Sequence, residues 1–404
     1  MGITLEGMLE HSGSSVSKVA LHKRFNAQAV LFLEMLLNSV SQTLYWEHSG
    51  GYRKVLGQFG RVLIYDSTAW NISPQLAAVF PGSGGSGSLA TCKLQLEYEL
   101  KSGKIAGHDL GVGNIPDYSY APQIAESAEH RDLCLFDLGY FTHELLEELE
   151  DKGAYFICRL KANTTVVNKQ GNEIPLVRIL KKARKQGKGA LELLADLNGE
   201  GLEVRIVAVR LSEEKRRERI AQLKKMKSKK GQTLSKASRE FAGWCVYATN
   251  ACAQILPAAV VSELYRLRWS IELLFRQFKS VLKLDHATHA NEHRLRCEIL
   301  AKLIVAVIAT ALHGQLQAVS YRYRGHELSL QKVFQLLQRK ADALLAALAQ
   351  CVSTTRRFLQ HIEKLIFRWC KKEYSRPKPS TLQRIVKAAA RRTRFQKGVS
   401  YGFA

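Results

Sequence analysis

The chain predicts an α/β fold: a mixed sheet flanked by helices, interrupted by a β-rich insertion and bracketed by helical N- and C-terminal regions. Three observations carry this. Short apolar runs bounded by turn residues, the mark of buried strands, occur at 59–68, 91–100, 132–140 and 154–160. The stretch 265–279, YRLRWSIELLFRQFK, instead places its apolar residues at helical spacing. Between 161 and 242 the core pattern lapses into further β-like and charged segments before GWCVYATN resumes it. With 404 residues there is material for a large core and two or three domains.

Taken in order, residues 1–56 are helical in pattern. Ser14, Ser15 and Ser17 are candidate caps for a helix starting near Val16, and a second helix runs through AQAVLFLEMLLNSV. FGRVLIYDST, residues 59–68, predicts a buried strand with Asp66 at the end of its apolar run. PGSGGSGS, residues 81–88, lacks the GK[ST] ending of a phosphate-binding loop and reads as a flexible connection. TCKLQLEYEL alternates as a half-exposed strand, KSGK turns the chain, and IAGHDL returns as a third strand. Pro116 opens a helix over 117–129, and DLCLFDLGY is a second buried strand ending in Asp137. Together these residues, 57–160, make the first part of a core, closed by the strand AYFICRL.

The insertion, 161–242, predicts strands at TTVVN, IPLVRIL, ALELLADL and EVRIVAVRL, followed by a charged helical or mobile segment from Glu213. Residues 161–240 hold 21 Lys and Arg against 9 Asp and Glu. The core resumes over 243–320, helical from Pro257, with a long helix from Glu292 to His313. Residues 321–404 alternate helical segments with a basic tail, in which 364–397 carry 12 cationic residues, one acid and the aromatics Trp369, Tyr374 and Phe395.

Composition narrows the function. A net charge of +24 calls for an anionic partner, most simply nucleic-acid phosphate. No run of 18 uncharged apolar residues supports a membrane span, and the N-terminus lacks the basic start and apolar run of a secretory signal. The eight cysteines form no CxxC or Cys/His cluster, so a zinc site is not expected, and they read as reduced thiols of a cytoplasmic protein. His286, His289 and His293 share a loop region but read as solvent-facing residues and not as metal ligands.

The chemistry concentrates at 265–279. Tyr265, Arg268, Glu272 and Lys279 stand at offsets 0, 3, 7 and 14, which on one continuous helix puts them on a common stripe. Beside it runs an apolar stripe of Leu264, Leu267, Ile271, Leu274 and Phe278. An amphipathic helix with ion pairs along its surface explains the same pattern. Asp66 and Asp137 read as turn formers after strands or as ligands at a sheet edge.

The spacing Y-x2-R-x3-E-x6-K, with Trp after the Arg and Ile before the Glu, resembles the signature of the IS4-type DDE transposases. DLGYF at 137–141 is similar to their second-aspartate motif, and the resemblance extends over roughly residues 55–320. It implies an RNase H-like catalytic core in which Asp66, Asp137 and Glu272 bind two Mg2+ or Mn2+ ions. It also implies that Tyr265, Arg268 and Lys279 contact DNA phosphates, and that Trp244, at 21 residues before Tyr265, stacks on an extruded base. A core Trp at a strand start is the other reading of Trp244. The N-terminal segment SVSKVALHKRF is similar to a region that contacts element-end DNA, or else is a helical cap on the core.

What the resemblance implies is cut-and-paste transposition of an insertion sequence by a homodimer acting on double-stranded DNA at the element's inverted-repeat ends. Its steps are hydrolytic nicking, a hairpin intermediate, and joining of 3′ ends to target DNA in the bacterial cytoplasm, at the nucleoid. Two other readings keep the same residues. One is a metal-dependent nuclease without strand transfer. The other is a non-catalytic basic nucleic-acid-binding protein whose carboxylates form only ion pairs.

Overall fold

The computed structural model of the chain describes residues 5–12, 15–43, 56–84, 88–229, 231–287 and 289–373. They divide into two compact units, each assembled from separate stretches of chain. The first takes residues up to Arg53, Asp66–Ile115 and Trp269–Lys378, and the second takes Lys54–Tyr65 and Pro116–Arg268 among the described residues. Each unit thus draws on stretches of chain that are distant in sequence.

In the first unit, α1 (Leu5–Ser12), α2 (Lys18–Arg24) and α3 (Ala27–Thr43) precede the sheet. Ser17 caps α2, its side chain accepting from the Ala20 N–H at 3.1 Å, which settles which of the candidate serines does so among the described residues. The strand β1 (Val62–Asn71) enters this unit at Asp66, and β2 (Thr91–Glu99) and β3 (Lys104–Val112) form an antiparallel hairpin, in the order β3-β2-β1. The expected half-exposed character of β2 is not what folds: Gln95, Glu97 and Glu99 are all buried, as are Leu94 and Leu96. Glu99 turns its carboxylate onto the N–H groups of Lys101 and Ser102, so the hairpin turn satisfies it.

In the second unit the order is β1-β4-β5-β9-β8-β7-β6. The 3-10 turn Asp117–Tyr120 leads into α4 (Ala121–Ser127), then β4 (Leu133–Leu135), α5 (His143–Asp151) and β5 (Tyr155–Arg159). Both β4 and β5 run parallel to β1, with Val62 to Ile64 opposite Leu133 to Leu135. The three-residue β4 is buried on both faces and reads as an unbroken apolar run. Arg61 locks the start of the pair: its guanidinium spans the buried Asp132 carboxylate, at 3.0 Å from Nε to Oδ2. Thr142 caps α5 by accepting from the Leu145 N–H.

The residues expected as an insertion domain share this unit and continue its sheet. Here β6 (Val166–Val167), β7 (Ala190–Leu197) and β8 (Glu203–Arg210) join through β9 (Trp244–Thr249), antiparallel throughout. IPLVRIL, expected as a strand, is instead the start of helix α6 (Leu176–Lys185). Its Val and Ile favour strands locally, but Leu176, Leu180 and Ala183 recur at helical spacing and bury one face in the core. The charged segment is ordered as α7 (Glu213–Ser228) and α8 (Lys236–Phe241). One core, including Leu63, Tyr65, Phe136, Phe156, Ile206 and Trp244, runs through the unit.

Helix α9 (Ala258–Leu267) closes the second unit and α10 (Trp269–Ser280) reopens the first. There follow α11 (Glu292–Arg324), α12 (Leu330–Arg339), α13 (Ala341–Leu348) and α14 (Val352–Trp369). The long helix α11 outruns the expected end at His313 and packs on α3 and β3. A smaller apolar cluster holds α12 and α14 to it through Leu316, Val333, Ile362 and Phe367. No helix among the described residues is long and apolar enough to cross a membrane. The aromatics Tyr374 and Phe395 of the basic tail, and most of that tail, lie outside the described residues, as does part of the Gly-rich loop.

Candidate active site

The stretch 265–279 is not one helix. The Arg268 N–H bonds the Tyr265 carbonyl at 3.1 Å, an i→i−3 bond where an α-helix would reach Leu264, and the ladder is broken there. Neither Gly nor Pro stands at the joint, and the backbone of Arg268 stays in the right-handed region. The expected common stripe is thus divided between α9 and α10, and the boundary between the two units falls at the same place. The apolar stripe survives the break: Leu264, Leu267, Ile271, Leu274 and Phe278 are all buried.

In the first unit lie Asp66, Glu272 and Lys279. Asp66 is half-buried within β1 and not at its end, because the strand runs five residues further to Asn71. Its carboxylate accepts from the N–H of Ser67 at 3.0 Å. Glu272 is half-buried in the first turn of α10, where the helix dipole favours a negative charge. Lys279, two turns on, donates from Nζ to the carbonyl of Ala69 at 3.1 Å. This bond ties the helix that carries Glu272 to the strand that carries Asp66.

In the second unit lie Asp137, Tyr265, Arg268 and Trp244. Asp137 stands two residues beyond Leu135, the last β4 residue paired with β1. Likewise Asp66 stands two residues beyond Leu135's partner Ile64. The Asp137 Oδ1 accepts from the N–H of Gly139 at 2.6 Å. A Cβ at Gly139 would meet that same oxygen at 2.8 Å and Oδ2 of Asp117 at 3.3 Å. A side chain at this glycine of DLGY would therefore displace the Asp137 carboxylate folded back over it.

Tyr265 packs its ring against Tyr247 at 5.0 Å between centroids, and the Arg268 guanidinium lies 5.9 Å from the Tyr265 ring centre. Burial pushes the Tyr265 phenol up to about 12, against the opposing pull of Arg268, while Asp137 adds to the rise and Arg159 lowers it. These interactions gather Tyr265, Arg268, Asp137 and Arg159 into one neighbourhood. At neutral pH the phenol is a hydrogen-bond donor and not a phenolate.

Trp244 requires correction. It is 0% exposed, the largest fully buried side chain described, and belongs to the core of the second unit. The ring is covered on all sides at the start of β9, so the core reading holds and no face is open to a base. Two further charged residues adjoin this neighbourhood, Arg159 beside Tyr265 and Asp117 beside Gly139, and sequence reasoning did not single them out. Arg159 closes an apolar strand with a charge, and Asp117 follows the helix-opening Pro116; both are weak signals alone.

Carboxylate oxygens are donors for a hard divalent cation and not for zinc, so the chemistry of Asp66, Asp137 and Glu272 suits such an ion. Among the described residues no three His, Cys, Asp or Glu side chains stand grouped as a ready-made metal site. His289 is accounted for otherwise, its Nε2 lying 2.5 Å from the Glu298 carboxylate.

Comparison with known proteins identifies the family. The family described as "Transposase DDE domain" matches residues 57–308, the span that contains every residue named above. The chain is 31% identical over 375 residues to the transposase for insertion sequence element IS231F of Bacillus thuringiensis subsp. israelensis, covering 88% of this chain and 76% of that one. It is 30% identical to the IS231B transposase of B. thuringiensis subsp. berliner, covering 83% and 74% of the two chains. To the IS1151 transposase of Clostridium perfringens it is 29% identical, covering 78% and 70%. Domains of this type generally work with divalent metal ions. With the family's domain spanning the sheet and both halves of the divided helix, the chain belongs to the DDE transposases of the IS4 type.

Proposed function

We propose that this transposase moves an insertion sequence by cut-and-paste chemistry, hydrolysing phosphodiester bonds at the element ends and joining the freed 3′ ends to target DNA. Asp66, Asp137 and Glu272 would hold the divalent ions, Mg2+ or Mn2+ and two in number. When bound, such ions lower the pKa of an attacking water and neutralise charge on the leaving oxygen. The strand order β3-β2-β1 in one unit and β1-β4-β5 in the other, with β4 and β5 parallel to β1, supports an RNase H-like core.

The single observation that carries the site assignment is the Lys279–Ala69 bond. It fixes the Glu272 helix onto the Asp66 strand inside one unit. The chain's own residues then divide the work. Arg268 and Lys279 position phosphates of the terminal nucleotides by charge, and Tyr265, held protonated by burial, donates a hydrogen bond to a phosphate. A covalent tyrosyl intermediate is disfavoured by the same burial, since it needs the phenolate. One subunit at each inverted-repeat end implies a homodimer in the DNA-bound state.

The test is cleavage of a supercoiled plasmid carrying the matching element ends, with Mg2+ or with EDTA. End cleavage that requires Mg2+ and is lost in Glu272→Ala, while DNA binding persists, is the expected result. Equal cleavage by the variant overturns the assignment of Glu272. Cleavage without joining of 3′ ends to a second plasmid marks a nuclease and not a transposase.

A further inference from the structure

Helix α7 uses one face to hold on to the protein and leaves the other to solvent. Arg216, Arg219, Ile220, Leu223 and Lys227 are half-buried and fall on one side at helical spacing. Arg219 anchors that side, donating from Nη1 to the Trp244 carbonyl at 2.8 Å. Ser212 caps the helix start by accepting from the Lys215 N–H. The opposite side carries Arg217, Lys224 and Lys225, with Lys229 directly after the helix, all exposed. Acids occur only in the first half, at Glu213, Glu214 and Glu218, and from 219 to 229 there is none. No ion pair engages Arg217, Lys224, Lys225 or Lys229 among the described residues. Glu213 is taken by Arg210 and Arg216, which holds its carboxyl below the usual range.

Arg217 turns its Nε only onto the Glu213 carbonyl, at 3.4 Å, and a solvated amphipathic helix does not explain four like charges without an ion pair on one face. Lys225 and Lys229, one turn apart, repel one another by a few tenths of a kcal/mol. Residues 217 to 229 rise about 18 Å along the axis, the length of about five base pairs, on a helix fixed to the sheet by its other side. The face has long point-charge donors and almost no base-reading groups; Arg217 is its one planar fork. Such a surface tracks phosphates irrespective of sequence.

We propose that this face of α7 binds the backbone of target duplex DNA, whose sequence varies, and not the fixed sequence of the element end. The assignment rests on the reading of the chain as a DNA transposase. It adds an interface separate from the candidate active-site residues.

The experiment uses the full chain with Arg217, Lys224, Lys225 and Lys229 all changed to Gln. Fluorescence anisotropy follows binding to a random-sequence duplex and to an element-end duplex between 50 and 200 mM salt. Each lost phosphate contact takes about 0.9 off the slope of log affinity against log salt. The expected result is a slope on the random duplex shallower by about two to four, with the element-end slope changed by less than one. An unchanged slope on the random duplex overturns the proposal, and an equal change on both duplexes overturns the assignment to target DNA. If random-sequence RNA duplex shows the larger change, the surface serves RNA and the proposal also fails. Thermal melting of the variant checks folding. Metal-dependent end cleavage is read in the same variant and in Glu272→Ala. Cleavage intact in the former and lost in the latter keeps a failure here distinct from a failure of the catalytic assignment.

Discussion

Tyr265 illustrates how burial decides the role of a single side chain. Its folded pKa lies above its ordinary value of 10.0, at about 12, chiefly through desolvation. The protonated form is therefore the one the fold favours, and the resulting stability is fully present below about pH 10 and lost as pH rises toward 12. Tyr265→Phe should remove this part of the alkaline loss, leaving those from Cys92 and Cys158, whose thiols burial also pushes up to about 12, and from Tyr247, whose phenol burial raises too. Melting curves of both proteins between pH 9 and 12 check it: identical alkaline profiles would show that the phenol is not desolvated. Gly139 is a second residue-scale case. Gly139→Ala places a methyl group 2.8 Å from the Asp137 Oδ1, and the carboxylate end must swing away. End cleavage should fall at least tenfold, about 1.4 kcal/mol in the barrier, with melting little changed. Wild-type cleavage by the variant would remove Asp137 from the site.

At the scale of elements, the strands β7 and β8 do more than widen the sheet. Arg205 on β8 is buried against Glu192 on β7 at 2.7 Å. The same guanidinium donates to the carbonyls of Ala251 and Leu256, which lie on the connection from β9 into α9. The helix bearing Tyr265 thus starts from a loop pinned by the strands between 161 and 242. Removing one member of a buried, hydrogen-bonded pair costs about 3–5 kcal/mol, because the other charge is left unpaired. Arg205→Met should show a loss of that size in urea unfolding, and the Arg205→Met, Glu192→Leu double variant a smaller one. A single variant as stable as the native chain would mean that the pair is solvated and the pin is absent. The break at Arg268 belongs to this scale too: one shortened hydrogen bond divides what the spacing alone presents as a single helix.

At the scale of the whole molecule, charge and chain routing dominate. A net +24 makes DNA association salt-dependent whatever the sequence bound, so affinity for any duplex should fall by orders of magnitude between 50 and 200 mM salt. Titration by anisotropy at three salt concentrations checks this, and a flat response would mean that the cations are paired off internally. The routing is less expected. Among the described residues the chain is in the second unit over 56–65, leaves it after Tyr65, returns at Pro116 and leaves again after Arg268. Strand β1 and the stretch 265–279 each cross between units, and these are the two segments that carry most of the candidate site.

The sequence by itself determined the local elements and the chemistry. Apolar runs located β1, β4, β5 and β9, serine positions located helix starts, and the spacing of Tyr265, Arg268, Glu272 and Lys279 pointed to the family that comparison then showed. These are legible because each depends on neighbours within one or two turns of chain. Only tertiary structure decided the rest. Val177 and Ile179 favour a strand, yet α6 forms because its leucines meet a core built from distant residues. Trp244 can stack or be buried with equal local logic, and the packing of the second unit buries it. The polar residues of β2 are covered, and the strands after 161 join the sheet beside β9, for the same physical reason. Burial is a property of what comes from elsewhere in the chain, and no window of sequence contains both partners of a long-range contact.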